Sequence, residues 1–441
     1  MKASDIFVRS FENEFCLCNF RKGSAAILVD AGEFLKPMLV GEDLDVHARE
    51  LSLKYGVPLD ELMKDMMQFY QRLSALGLAS LPLKSIEMCR CNENDDSTDH
   101  AEGRKASGQL PVSDFYKCHN LPFEIHVDLT DACTERCVHC YVPQGQCEYL
   151  PCSIVEKVLR EFREQQGLTV QLSGGECMMH PDFAKICRLC RKLDLNFIVL
   201  SNLTLCDEKI ISVLKETDPQ FVNVSLYSMK AEVHDAITQI PGSWSRTMAA
   251  IDACQNAGIH IRLATPLLKL NRDAYPALCK FAEERQVHLI PDCEIIPMYN
   301  RSCSNLDYAC APQDMQSVFE GDKCFWNCDK ANPRQTDDRV CIIGERLFLN
   351  AKGKYYGCSG MNELVIGDAC RDSVSDVWNG DMMKWLRGLK NSDFEKCVSC
   401  EHSAFCKICP AFNFNATGNL FEPIPAKCAL AEVKHRVFGG K

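Results

Sequence analysis

The stretch FEIHVDLTDACTERCVHCY (residues 123–141) decides how this chain is read. Its first seven residues, Phe123–Leu129, read as a strand. Cys133, Cys137 and Cys140 follow at once, with Tyr141 next in line. Three thiols within eight residues, on a loop at the C-terminal end of a strand, can hold three irons of a four-iron cube and leave the fourth open. An open metal position is what a substrate needs in order to bind. The bland alternatives are a chance grouping of cysteines, or a zinc site in which His139 supplies a ligand.

Outward from this stretch, strands and helices alternate as far as about residue 297. Candidate strands lie at 123–129, 170–172, 197–200, 222–226, 259–263 and 287–290. Amphipathic helices lie between them, for example at 154–165, 182–193 and 245–257. This order implies βαβ units and a parallel sheet, an α/β fold that is either doubly wound or an incomplete barrel. In both, ligands sit at the C-terminal ends of the strands.

Upstream, residues 25–29 read as a strand, and 46–55 and 59–76 as helices. In the second helix Leu62, Met66, Phe69, Leu73 and Leu76 recur at spacings of three and four, and Gly77 is placed to end it. Residues 84 to about 118 are polar and aperiodic and read as a linker, with Cys89 and Cys91 unassigned at its edge. Beyond Ser302 the alternation stops. Cysteines then arrive in groups, as in a small domain organised by metal.

Composition agrees with an enzyme of about three domains. The 441 residues include 46% hydrophobic and 25% charged side chains. With 49 basic and 60 acidic residues the formal charge is −11, which argues against nucleic acid and anionic membranes as partners. No apolar run is long enough to span a bilayer, and the first residues carry acids where a signal peptide needs an apolar core. A cytoplasmic location is expected. There, 29 cysteines are ligands or small buried hydrophobes rather than a disulfide framework; Cys254 and Cys279 read as core.

The C-x3-C-x2-C spacing after the first strand resembles the signature of the radical S-adenosylmethionine superfamily. There the open iron is chelated by S-adenosylmethionine, and one electron from the cluster yields a 5′-deoxyadenosyl radical. The resemblance covers 123 to about 297 and implies a partial (β/α)6 barrel. It places Tyr141 against the adenine, and Gly174, Gly175 and Glu176 at the methionine amino group. There close backbone approach and a carboxylate acceptor are needed. Ser201, Asn202 and Ser225 are placed for the methionine carboxylate and the ribose, with Arg246 as a weaker candidate. Each of these also suits a helix cap or a solvated position. Ile261 falls in a segment like the family's strand-five adenine contact.

The C-terminal cysteines Cys341, Cys358, Cys397, Cys400, Cys406, Cys409 and Cys428 resemble the order of the SPASM domain, which carries two auxiliary [4Fe–4S] clusters. A zinc ribbon is the rival, but five residues between its two Cys pairs is short, and seven thiols exceed one zinc site. The resemblance gives Cys397, Cys400, Cys406 and Cys428 to a distal cluster and Cys341, Cys358 and Cys409 to a proximal one. Cys324 and Cys328 are the nearest candidates for the missing proximal ligand; otherwise that iron is open. Two departures are visible. Two residues rather than three separate Cys406 from Cys409, and Ser359 stands where the sulfatase-maturing branch has a catalytic aspartate.

The N-terminal strands and three helices resemble the winged-helix, PqqD-like domain that recognises leader peptides, in which the leader adds a strand to the sheet edge. Asp60, Glu61 and Asp65 on the last helix speak against DNA. The organisation expected is therefore 1–84 leader recognition, 85–118 linker, 119–300 barrel and 301–441 SPASM domain. The expected activity is maturation of a ribosomal precursor peptide with closure of a thioether, as in sactisynthases. Three [4Fe–4S] clusters, S-adenosylmethionine and a flavodoxin- or ferredoxin-type reductant are implied. Carbon–carbon crosslinking or another peptide oxidation is the alternative on the same scaffold. A non-catalytic iron–sulfur module fits poorly, since a pure electron carrier gains nothing from a three-thiolate site.

Overall fold

A computed structural model describes residues 5–40, 43–79, 112–145, 147–321, 335–361 and 363–439. The chain divides into two compact units, Met1–Leu121 and Pro122–Lys441. Cys89, Cys91, Cys324 and Cys328 lie outside the described residues.

The first unit opens with β1 (Ile6–Phe11), β2 (Glu14–Asn19) and β3 (Ser24–Val29), an antiparallel sheet in that order. Of these three strands the sequence assigns residues only to β3. The hairpin that adds β1 and β2 turns at Glu12-Asn13, with Glu12 at φ 41°, and lacks the Asn-Gly or Asp-Gly signal of a tight turn. The helices Gly32–Val40, Leu44–Tyr55 and Leu59–Ala75 follow. The last buries Leu62, Met66, Tyr70 and Leu73, one stripe at helical spacing. It ends as expected at Gly77, in the left-handed region at φ 70°, where the Leu78 N–H reaches back to the Leu73 carbonyl at 2.7 Å. Asn19 ties the sheet to this end by donating to the Gly77 carbonyl.

One stretch assigned to the linker is structured. Val112–Cys118 is a helix that buries Phe115 and Tyr116, and both rings pack edge-on against Phe11 of β1. Two aromatic side chains on one short helix need an apolar partner, and the sheet supplies it. The first unit therefore extends past residue 84 and closes at Leu121.

The second unit is built on six parallel strands, β4 (Glu124–Thr130), β5 (Thr169–Gly174), β6 (Asn196–Ser201), β7 (Val222–Ser225), β8 (Ile261–Pro266) and β9 (His288–Asp292). They lie in sequence order, each joined to the next by one or two helices, as in a partial barrel. Ile125, Val127, Val170, Leu172, Phe197, Val199, Val222, Val224 and Leu263 are all without exposure and form the core against which the helices pack. The sheet does not stop at β4. Residues of the Cys-rich part form β10 (Leu347–Leu349), β11 (Lys354–Tyr356) and β12 (Gly367–Asp368), and β10 pairs in parallel with β4. Among the described residues the barrel sheet thus grows to nine strands, and the strand that launches the cysteine loop gains a neighbour on each side.

Candidate active site

The loop after β4 carries Cys133, Cys137 and Cys140 to the C-terminal end of the parallel strands. All three line one cavity of about 400 Å³. The loop is fixed from outside itself. The Arg136 and Val138 N–H groups donate to the Thr238 and Ile237 carbonyls, both at 2.9 Å, and Ala132 N–H donates to Thr130 Oγ1 at 3.0 Å. Burial pushes the Cys133 thiol up to about 12 and raises Cys137 and Cys140 as well. A metal that binds thiolate would reverse that preference.

Gly174 and Gly175 end β5 against the start of this loop. A Cβ on Gly174 would stand 2.0 Å from the Thr130 carbonyl oxygen, and one on Gly175 would stand 2.3 Å from that of Ala132. Gly174 also holds φ 127°. The close backbone approach expected of the two glycines is real, and its partner is the cysteine loop. Both line the cavity.

Glu176 is placed otherwise than expected. It is fully buried and is not among the residues lining the cavity. Its carboxylate accepts from Ser201 Oγ at 2.9 and 3.0 Å, from Asn202 N–H at 2.8 Å and from Met178 N–H at 3.0 Å. It joins the ends of β5 and β6 behind the wall. Burial raises its pKa, against the pull of those donors.

Ser201, Asn202 and Ser225 line the cavity, joined by Ser173 and Asn223. The Asn202 side chain stands 3.7 Å from Cys133 Sγ and bonds Thr134 and Thr204, which bond each other at 2.7 Å. Tyr141 lines the cavity, its ring 5.0 Å from that of Tyr299. Two expected residues do not reach this wall. Arg246 is exposed, and its charge acts on Glu135. Ile261 opens β8 opposite Val222, at the N-terminal end of the strands, whereas Ala264, opposite Ser225, lines the cavity. Three residues of strand, roughly 10 Å, separate the two.

Several residues escape sequence reasoning. Glu135 lies between two of the cysteines, and its Oε2 is 3.5 Å from Cys137 Sγ. Tyr227 OH is 3.5 Å from the same sulfur. Tyr227 lies two residues past Ser225, a spacing that puts both on one face of an extended segment and could have flagged it. Glu135 Oε1, His139 Nδ1 and Asn223 Oδ1 are buried without a partner, and all three residues line the cavity. Orphaned polar atoms on one wall, beside three thiols, suit an iron–sulfur cluster with a polar, amino-acid-like ligand.

The C-terminal cysteines fall into two groups. Cys397, Cys400, Cys406 and Cys428 line a small cavity of about 40 Å³, and Cys409 shares its wall. Cys341, Cys358 and Cys409 pack together with Ile343, Met361, Leu386 and Leu389. Burial pushes the Cys341 and Cys358 thiols up to about 12. Among the described residues no three His, Cys, Asp or Glu side chains close on one point as ligands of a single ion would. Among the same residues no helix is long and apolar enough to cross a membrane.

Residues 127–282 match the family model described as the Radical SAM superfamily, and residues 341–402 match the SPASM iron–sulfur cluster-binding domain. The AdoMet-dependent heme synthase of Methanosarcina barkeri is 25% identical over 343 residues, spanning 69% of this chain and 96% of that protein. The antilisterial bacteriocin subtilosin biosynthesis protein AlbA of Bacillus subtilis is 28% identical over 160 residues, 34% of each chain. The structure of Streptococcus suis SuiB bound to its precursor peptide SuiA covers 97% of this chain and 99% of that one, at TM-score 0.60 and 14% identity, a likeness of fold. The chain carries radical SAM and SPASM domains, which imply iron–sulfur clusters and S-adenosylmethionine, and it is an enzyme.

Proposed function

We propose that this radical SAM enzyme with a SPASM domain matures a ribosomal precursor peptide, taking a hydrogen atom from a core residue and closing a thioether. The observation that carries the reading is the cavity of Cys133, Cys137 and Cys140, open and walled by the polar ends of β5, β6 and β7. Those thiols would hold a [4Fe–4S] cluster with one free iron. Ser201, Asn202, Asn223 and Ser225 would contact S-adenosylmethionine, with Tyr141 beside the adenine and Gly174 and Gly175 leaving room for it. With both bound, the site supplies a carbon-centred radical that takes hydrogen from an unactivated C–H bond. Glu176 holds the β5 and β6 ends in place for it.

Peptide as substrate is supported by the fold shared with peptide-bound SuiB along 97% of this chain. The AlbA match also supports it. The first unit supports leader recognition. Among the described residues its sheet ends in β3, an edge strand whose Val29 is 61% exposed, and β-augmentation by a leader would add a strand at such an edge. Two auxiliary clusters would occupy the C-terminal cysteines, giving three in all. Closing C–S from C–H and S–H releases a hydrogen atom, a proton and an electron, and the auxiliary clusters would accept that electron. The match along 96% of a heme synthase favours a second reading, in which a haem precursor is the substrate.

The experiment is anaerobic turnover with S-adenosylmethionine, a reductant and short Cys-containing peptides encoded beside this gene, followed by mass spectrometry. Loss of two hydrogens per crosslink, abolished by deleting 1–121, supports the reading. Turnover of a porphyrin with no change in any peptide supports the second.

A further inference from the structure

Among the described residues Lys427 is the only buried lysine, at 8% exposure, and its position runs against two ordinary preferences. Lysine is almost never buried without a partner. Lys427 also stands in the first turn of the helix Pro425–Phe438, where unpaired N–H groups make the helix end positive and repel a cation. Negative charge nearby has to offset both costs. Glu294, two residues past the end of β9, takes the ammonium in a hydrogen-bonded ion pair. Lys427 also lines the cavity whose wall carries Cys397, Cys400, Cys406, Cys409 and Cys428. The Phe412 ring lies 5.4 Å from its nitrogen. Among the described residues no other charged side chain except Lys396 lines that wall, and Lys396 is exposed and paired with Glu422 at 2.7 Å.

We propose that Lys427, held by Glu294, raises the reduction potential of the auxiliary iron–sulfur cluster bound in this cavity and so makes it an electron acceptor. The inference rests on reading these cysteines as cluster ligands. A thiolate-ligated cluster is anionic and gains a further negative charge on reduction, so a fixed ammonium against it stabilises the reduced state more than the oxidised one. Because Cys409 lies on the same wall and is assigned to the proximal cluster, the charge stands between the two auxiliary sites. The electron it would draw is the one left when a substrate radical bonds sulfur: the hydrogen atom has gone to the adenosyl carbon, the thiol proton to solvent, and the electron to the cluster. Glu294 belongs to the barrel side of the unit, so the pair also joins the barrel to the cluster domain.

The test is a potentiometric titration followed by electron paramagnetic resonance, on reconstituted full-length protein carrying Cys133→Ala, Cys137→Ala and Cys140→Ala to remove the radical-site signal. At a fixed potential Lys427→Met is expected to lower the reduced-to-oxidised ratio of an auxiliary cluster about tenfold, about 59 mV for one electron. Lys427→Arg keeps the charge and restores the ratio. Glu294→Gln removes the opposing charge and raises it. A merely structural role would move both variants in the same direction. Coincident titrations of Lys427→Met and its parent, at equal iron content, overturn the proposal and leave the peptide-maturase reading standing. If Lys427→Met fails to hold iron, the sign of the Glu294→Gln shift decides, and a fall or no change overturns it. A parent chain that takes up no iron at these cysteines overturns the ligand reading and the proposal with it.

Discussion

The hydroxyl of Ser201 lies 2.9 and 3.0 Å from the two carboxylate oxygens of Glu176, so two residues expected to meet a cofactor are bonded to each other. The carboxylate also takes the N–H groups of Met178 and Asn202. Its work is to hold two strand ends together behind the wall that a cofactor would touch.

Removing that carboxylate strands two buried N–H donors. Glu176→Ala is expected to destabilise the chain by about 2–4 kcal/mol, and Glu176→Gln, which keeps one acceptor oxygen, by about 1–2 kcal/mol. Denaturant unfolding of the metal-free chains measures both. Equal losses would mean that the hydrogen bonds are not what the side chain contributes.

Gly175→Ala drives a methyl group into the Ala132 carbonyl, where the ideal Cβ would stand 2.3 Å away. The loop that bears Cys133 has to shift. Iron retained by the first cluster should fall sharply while the C-terminal irons stay, and Mössbauer or iron analysis of the reconstituted variant measures this.

The β4–β9 order and the cysteine loop are legible because short β-forming segments alternate regularly with amphipathic helices, and because the three cysteines follow the first of those strands directly. The helix Val112–Cys118 is hidden in the sequence because it is short and follows a polar stretch; its packing against Phe11 is a tertiary contact. β10 to β12 have two or three residues each, too few for any period, and their place beside β4 is set by the tertiary fold. The error at Ile261 has a simple cause. The motif marks the strand but not which of its ends faces the cavity, and the pairing of Ala264 with Ser225 fixes that. Glu135 is not legible because a lone carboxylate between cysteines carries no ligand spacing, and Tyr227 is legible only through its two-residue offset from Ser225.

His234 gives a pH dependence of known sign. Burial lowers its pKa from 6.5 to about 4, and its ring accepts the Tyr227 N–H at 3.3 Å. The unfolded chain binds a proton that the folded chain refuses. Stability from this group is therefore present above about pH 6.5 and lost as pH falls toward about 4. The loss is roughly 3 kcal/mol at most. Unfolding of His234→Phe and of wild type across that window should diverge in slope, the variant being the flatter. Parallel slopes would remove His234 as the cause.

Three four-iron clusters give about twelve irons per chain after anaerobic reconstitution, and the Cys133→Ala, Cys137→Ala, Cys140→Ala variant should hold about eight. Zinc at the C-terminal cysteines would leave about four irons in wild type and one or two zincs per chain. Metal analysis separates the cases.

The proposed activity depends on one chemical event at the cavity between the strand ends. Reconstituted wild type, given S-adenosylmethionine and a strong one-electron reductant without any peptide, is expected to release 5′-deoxyadenosine, and the triple Cys→Ala variant none. Chromatography of the quenched mixture reads both. Equal amounts from the two proteins, or none from a wild type carrying its full iron, would contradict the assignment of Cys133, Cys137 and Cys140 as the radical-generating site.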